Sequence, residues 1–192
     1  IHQLAAMIDS KKMPVGTQEV QEVNNIWPYG KQYYYPITEN QRGVFLDWEL
    51  NRDTTQYNVP EVHVMKDCDA EKLRQALEKV VNAHPYLKTH FVQHEGDVMQ
   101  IRRDEEPVEV LMETLTEAPD VAFFQSRVRP FDLYNDTLYR MELYTFESKV
   151  YFFMDIHHSI YDGASSLFLL RDIFVAYQGE DIPTEEYTAF DF

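Results

Sequence analysis

The chain has 192 residues, of which 44% are hydrophobic and 26% are charged, a composition typical of a globular protein with a substantial core. Its 17 basic and 33 acidic residues give a net charge of −16. This balance argues against nucleic acid or an anionic membrane as the main partner, because both require clustered basic residues. The one cysteine, Cys68, excludes an internal disulfide framework and favours a reducing, cytoplasmic location.

The chain opens with a segment that predicts a short helix. Its apolar residues fall on one helical face: Ile1, Leu4, Ala5 and Ile8. This stretch resembles the last helix of a peptidyl carrier domain, so we assign residues 1–12 as the possible end of an upstream carrier. Residues 13–35 contain scattered Pro and Gly without a sustained period and predict an interdomain linker. The main domain is expected to cover residues 36–192.

The first elements of the main domain have clear local signals. Thr38 is a plausible N-cap with Gln41 at the capping-box position, which predicts a helix to Leu50. Alternation predicts a strand over residues 58–66. Asp69 then caps a second helix with an apolar face at helical spacing: Leu73, Ala76, Leu77, Val80 and Val81.

The second half of the chain predicts hairpins and helices that would pack around a sheet. The predicted elements are a hairpin of 87–94 with 98–102, a strand at 108–111, a helix at 121–127, a hairpin of 137–146 with 149–156, and a helix over 164–177. The last helix is expected to pack on the sheet and to end at Gly179. Its packing face is predicted to contain Leu167, Leu170, Phe174 and Tyr177.

The stretch His157-His158-Ser159-Ile160-Tyr161-Asp162-Gly163 presents two imidazoles where a strand ends and a helix begins. Histidine has an unperturbed pKa near neutrality, so it can accept a proton at working pH. Strand alternation places His157 and His158 on opposite faces, and they therefore cannot have the same role. Asp162 can bond the backbone or pair with a cation, and Gly163 permits a φ that other residues resist. Two bare histidines would also fit an ordinary strand end.

The spacing H-H-x-x-x-D-G resembles the core motif of nonribosomal peptide synthetase condensation domains, members of the chloramphenicol-acetyltransferase-like superfamily. Three further segments agree in order. Residues 38–45 resemble S-x-A-Q-x-R-L-W, residues 83–91 resemble R-H-E-x-L-R-T-x-F, and residues 130–140 resemble P-F-D-L-x-x-x-P-L-x-R. Gly43 and Lys88 depart from the pattern, since each stands where an arginine is usual.

The resemblance implies an α/β fold of the α+β sandwich type, a mixed sheet flanked by helices. This chain would be the N-terminal lobe of a chloramphenicol-acetyltransferase-like fold, and the C-terminal lobe is missing from it. The implied reaction is amide-bond formation between carrier-bound aminoacyl or peptidyl thioesters, an acyltransferase activity. The 192 residues alone are expected to be inactive, because the second lobe must close the channel.

The resemblance also assigns roles to the motif residues. His158 would take or orient the amine proton or stabilise the charged intermediate, and His157 would buttress the strand end. Asp162 would hold the loop through a cation such as Lys88 or an arginine, although lysine lacks the bidentate fork of arginine. Gly163 would let the substrate approach the backbone.

The expected partners are upstream donor and downstream acceptor carrier domains and neighbouring synthetase domains, with neither nucleic acid nor membrane among them. No directly bound cofactor is expected, because the phosphopantetheine arms of the carriers deliver the substrates. A metal is not expected either. His84, His90 and His94 lack the accompanying Cys-x-x-Cys or His-x-x-x-His spacing of a zinc site.

The sequence also leaves other domain types to consider. An epimerization domain shares the histidine motif, although its usual continuation D-G-V-S-W-R differs from Ala164-Ser165-Ser166-Leu167 here. A heterocyclization domain is excluded by His157 and His158, since that class carries aspartates. A stand-alone acyl-CoA acyltransferase would not need the carrier-like start. A noncatalytic carrier-docking module with a relic motif is the remaining alternative.

Overall fold

The computed structural model describes residues 33–183. Seven strands and four α-helices lie in this part of the chain. In order they are β1 Tyr35–Pro36, α1 Glu39–Leu50, β2 Asn58–Lys66, α2 Ala70–Ala83, β3 Thr89–His94, β4 Asp97–Arg102, β5 Leu111–Thr114, α3 Val121–Gln125, β6 Tyr139–Phe146, β7 Lys149–His157 and α4 Gly163–Gln178. A 3₁₀ turn, Pro85–Lys88, lies between α2 and β3.

The strands form two sheets. A three-stranded antiparallel sheet has the order β1-β4-β3, and a four-stranded sheet has the order β2-β7-β6-β5. In the second sheet β5 and β6 run parallel, whereas β7 pairs antiparallel with both β2 and β6. The predicted mixed sheet flanked by helices is therefore confirmed.

Strand β7 is buried on both faces, and this fixes the position of the motif that follows it. On one face Val150, Phe152, Met154 and Ile156 pack with α2 and α4 in a single core cluster, as their alternation predicts. The opposite face carries the buried rings of Tyr151 and Phe153, which pack with Tyr144 and α3. A strand covered on both faces gives the motif that follows it a rigid attachment.

The helix starts follow the predicted capping residues. Thr38 and Gln41 form both halves of a capping box on α1, which satisfies two backbone N–H groups that the helix cannot pair internally. The Asp69 side chain accepts from the backbone N–H of Lys72 at the start of α2. Helix α4 ends at Gly179, whose φ of 87° is left-handed and suits glycine.

The hairpin of β3 and β4 turns through Glu95 and Gly96, with φ of 51° and 91°, the pair of left-handed residues typical of a tight two-residue turn. Strand β3 begins at Thr89 rather than at the predicted Leu87. Pro85 starts a 3₁₀ turn instead, because proline fits the first helical turn, where no N–H partner is needed.

The predicted strand at 108–111 is wrong. The strand is Leu111–Thr114, which pairs parallel with residues 142–145 of β6. Val108 and Val110 instead lie in a loop that packs on the core. The apolar pattern misled because the two apolar residues of β5, Leu111 and Met112, are adjacent and exposed, so no alternation marks the strand.

The predicted packing face of α4 is right for two of its four residues, since Leu170 and Tyr177 are partly buried against the core. Leu167 and Phe174 are 64% and 57% exposed. The buried residues are Leu169, Asp172, Ile173 and Ala176. Apolar residues surround most of this helix, so periodicity alone does not select a face. The face that packs also contains a charged residue, which a hydrophobic pattern cannot anticipate.

Some expectations lie outside the described residues. The helix and carrier assignment of residues 1–12 and most of the linker at 13–35 fall there and stay predictions.

Where the description begins, the ring of Tyr34 stacks on His94 with centroids 3.7 Å apart. Across residues 33–183, no helix is long and apolar enough to cross a membrane.

Candidate active site

The H-H-x-x-x-D-G motif lies beside a cleft of about 650 Å³. The walls come from the start of α1, the 3₁₀ turn with Thr89, strand β4 and the start of α4. The motif contributes His158 and the four residues that follow it. The cleft therefore lies at the point where the central strand β7 ends and the two sheets meet α1 and α4.

His157 is buried and held by its neighbour Ser159. Its Nδ1 accepts from the Ser159 hydroxyl at 2.8 Å and from the Ser159 backbone N–H at 3.3 Å. Its ring lies near those of Tyr57 and Phe131. Burial, together with the nearby charges of His158 and Arg140, lowers the pKa of His157 to about 4. This neutral, enclosed imidazole contacts the loop through Ser159, and its role as a support of the strand end stays a prediction.

His158 is the exposed histidine of the pair, and it lines the cleft. Strand β7 ends at His157, so His158 lies in the following turn, and its backbone N–H donates to Tyr57 O at 2.8 Å. His157 is buried and His158 exposed, but His158 lies beyond the strand, so strand alternation does not account for this difference. Of the two, only His158 is accessible from the cleft, and an accessible imidazole can exchange a proton with a bound substrate.

Asp162 is the N-cap of α4. One carboxylate oxygen accepts from the Ser165 backbone N–H and from the Ser165 hydroxyl, each at 2.8 Å, and these bonds lower the pKa of Asp162. Of its two predicted roles, bonding the backbone is the one observed. Gly163 is the first residue of α4 and, unlike Gly96 and Gly179, does not have a positive φ. Gly163 therefore does not use the φ freedom that glycine permits, and its role in letting the substrate approach the backbone stays a prediction.

The predicted pairing of Lys88 with Asp162 is also wrong. Lys88 is 4% exposed, and its Nζ donates to Asn82 Oδ1 at 2.7 Å and to the carbonyl oxygens of Asp104 and Glu106 at 2.8 Å. These three acceptors use all the donors of an ammonium group. Lys88 thus fixes the loop after β4, and Asp162 is held by Ser165 instead.

A second buried polar cluster lies under the end of β7. Asp155 is fully buried and accepts from Asn58 Nδ2 at 2.7 Å and from Arg140 Nη1 at 3.3 Å. Burial raises the pKa of Asp155, while Asn58 and Arg140 oppose that rise. Arg140 also donates to the carbonyl oxygens of Arg129 and Pro130. The cluster ties β2, β6 and the loop before β6 to the strand that carries His157.

Two glutamines of the cleft were not predicted as site residues. Gln41 Nε2 donates to Gln100 Oε1 at 3.0 Å and to Ser159 O at 3.2 Å. Gln100 Nε2 in turn donates to Pro36 O at 3.0 Å. The sequence identifies Gln41 as a capping-box residue and as a match to the S-x-A-Q-x-R-L-W segment, but a partner 118 residues away leaves no local signal.

The other histidines named in the sequence bind carboxylates rather than one another. His84 Nε2 lies 2.8 Å from Asp172 Oδ2 in a buried pair that links the 3₁₀ turn to α4. His90 Nε2 lies 2.7 Å from Glu106 Oε2. Among the residues that the structure describes, no group of three or more His, Cys, Asp or Glu side chains could hold a metal ion.

Comparisons with known proteins agree on one family. The family model described as "Condensation domain" matches residues 31–191. Surfactin synthase subunit 2 of Bacillus subtilis (strain 168) is 32% identical over 187 residues, which is 95% of this chain and 5% of that protein. Tyrocidine synthase 3 of Brevibacillus parabrevis is 30% identical over 167 residues, which is 86% of this chain and 3% of that protein.

Solved structures show the same fold. The first condensation domain of the CDA synthetase has a TM-score of 0.70 at 19% identity, covering 84% of this chain and 45% of that one. The starter condensation domain of rhizomide synthetase RzmA has a TM-score of 0.69 at 18% identity, covering 80% of this chain and 40% of that one. The chain thus spans less than half the length of these solved domains. It belongs to the condensation-domain family of the nonribosomal peptide synthetases.

Proposed function

We propose that this chain forms the N-terminal lobe of a domain that makes an amide bond between two carrier-bound thioesters, with His158 at the reacting centre. The observation that carries the proposal is the contrast within the histidine pair. His158 is exposed in a cleft of about 650 Å³, whereas His157 is buried and its Nδ1 is already occupied by Ser159. The motif thereby offers one imidazole to a substrate.

The proposed step joins an acceptor amine to a donor acyl group. The α-amine nitrogen attacks the donor thioester carbonyl carbon, the C–N bond forms and the C–S bond breaks. The amine proton passes to His158 and from there to the departing thiolate sulfur, so no proton is gained or lost overall. An imidazole is suited to this transfer because its unperturbed pKa lies near neutrality.

The substrates are expected to arrive on the phosphopantetheine arms of an upstream donor carrier and a downstream acceptor carrier. A variant of the RzmA starter condensation domain, with a TM-score of 0.71 to this chain, was solved in complex with C8-CoA and Leu-SNAC. That complex supports an arm-borne substrate in this fold. The reaction as written needs no metal and no further cofactor, because proton transfer and carbonyl attack require neither.

The test uses the full-length protein with both carriers loaded as aminoacyl thioesters, and compares it with its His158→Ala variant. Intact-mass spectrometry follows donor transfer onto the acceptor carrier. We expect a dipeptidyl acceptor whose rate of formation falls roughly 10²-fold or more in the variant, the usual contribution of a positioned acid–base residue. Because His158 is exposed, its truncation leaves the core intact, and unfolding curves that match those of the parent verify this.

Two other outcomes would overturn the proposal. If parent and variant both formed the dipeptidyl acceptor only at the background rate, the domain would be a noncatalytic carrier-docking module. Inversion at the α-carbon of a carrier-bound residue, without transfer, would indicate an epimerization domain. A control variant, Lys66→Met, changes an exposed residue on β2 that does not line the cleft. It should retain most of the transfer rate.

A further inference from the structure

The loop that carries His158 is held by one backbone group and one side chain from outside the motif. The His158 backbone N–H donates to Tyr57 O at 2.8 Å, which fixes the residue on its N-terminal side. On its C-terminal side, the Ser159 carbonyl accepts from Gln41 Nε2 at 3.2 Å. Ser159 itself is 8% exposed and donates twice to His157. The peptide that aims His158 at the cleft is therefore attached at both ends.

The Gln41 carboxamide has only one orientation that satisfies its neighbours. Its Oε1 accepts from the Thr38 backbone N–H at 2.9 Å. Its Nε2 faces two acceptors, Ser159 O and Gln100 Oε1. Gln100 is oriented in turn because its own Nε2 donates to Pro36 O. Reversing either amide would place oxygen against oxygen, so the chain of bonds runs in one direction from Pro36 to Ser159.

We propose that Gln41 is a positioning residue for His158, acting through its bond to the Ser159 carbonyl. The proposal rests on the function assigned to His158 above. Gln41 connects three elements that surround the cleft, namely the start of α1, strand β4 and the motif loop. Loss of the Ser159 bond would let this loop shift, and small misplacements of a reacting group lower the rate of the chemical step more than substrate binding.

The test compares Gln41→Met with Thr38→Ala in the full-length protein. Methionine keeps the length of the side chain but has no donor for Ser159 O. Both variants lose one of the two reciprocal capping bonds of α1. Gln41→Met also loses the bonds to Gln100 and Ser159, so unfolding curves of both variants verify that each is folded. Only Gln41→Met loses the bond to the motif loop. We expect kcat to fall roughly tenfold with KM within about twofold in Gln41→Met, and kcat to fall much less in Thr38→Ala, which keeps the bond from Gln41 to Ser159.

A second measurement does not depend on condensation. Amide hydrogen exchange in the 192-residue chain should be roughly tenfold faster at Ser159 and Ile160 in Gln41→Met than in Thr38→Ala. Equal exchange in the two variants, or an equal fall in kcat, would overturn the proposal. If the parent makes no dipeptide, the proposed function fails, while the exchange rates still decide whether Gln41 holds the loop.

Discussion

His157 illustrates how burial selects a role for one of two adjacent identical residues. Burial lowers its pKa from 6.5 to about 4, so the folded chain keeps this imidazole neutral where the unfolded chain protonates it. Below pH 6.5 the unfolded state binds the extra proton, and the free energy of unfolding therefore falls as the pH falls towards 4. Above pH 6.5 His157 is neutral in both states, and its contribution to the free energy of unfolding is complete.

Replacing His157 with Asn should remove this pH dependence. Asn Oδ1 can still accept from Ser159 but does not titrate. Between pH 7.5 and pH 4 the parent should lose about 3 kcal/mol more unfolding free energy than His157→Asn, since one pKa unit corresponds to about 1.4 kcal/mol. Urea unfolding of both proteins across this range measures the difference. Parallel stability profiles would show that the His157 pKa is not lowered in the folded state.

Lys88 is buried without a carboxylate partner, and its three bonds to Asn82, Asp104 and Glu106 compensate its desolvation. Lys88→Met leaves these acceptors unpaired, so it should lower the free energy of unfolding by about 3 kcal/mol. Lys66 is exposed on β2, and Lys66→Met should change the free energy of unfolding by less than about 0.5 kcal/mol. Urea unfolding compares the two variants. Similar values would mean that Lys88 has no structural role.

At the scale of the element, the glycines of α1 and α4 occupy different positions in their helices. Gly43 lies exposed inside α1, and a Cβ there would meet nothing within 4 Å. Gly43→Ala should therefore stabilise the chain by about 0.5–1 kcal/mol through helix propensity. Gly179 has a φ of 87° at the end of α4, so Gly179→Ala should destabilise it by about 1 kcal/mol. Thermal unfolding measures both. If both substitutions stabilised the chain, or both destabilised it, the backbone conformations assigned to Gly43 and Gly179 would be contradicted.

Elements with strong local signals could be predicted from the sequence. The bounds of β2 and the capped starts of α1 and α2 follow from alternation and from capping side chains. Contacts between distant segments could not be predicted in this way. Lys88 bonds a loop 16 and 18 residues away, and the packed face of α4 contains Asp172 because His84 lies opposite it. Local patterns carry no information on such partners.

At the scale of the whole molecule, the site also combines features that local sequence predicts with contacts that it does not. The motif spacing and strand alternation predicted two histidines with different roles, and the structure places one in the core and one in the cleft. The glutamine bonds that hold the loop depend on the meeting of α1, β4 and the end of β7. Only the assembled fold brings these segments together.

The 192-residue chain matches 40% of a solved starter condensation domain, and under the proposed function it would offer only part of a site for two substrate arms. His158 is exposed here, and an open site neither aligns both thioesters nor excludes water. We therefore expect this chain, mixed with loaded carriers, to form no dipeptide above background while the full-length protein does. Intact-mass spectrometry measures both, and circular dichroism verifies that the chain is folded. A transfer rate within tenfold of the full-length protein would show that this lobe alone positions both substrates.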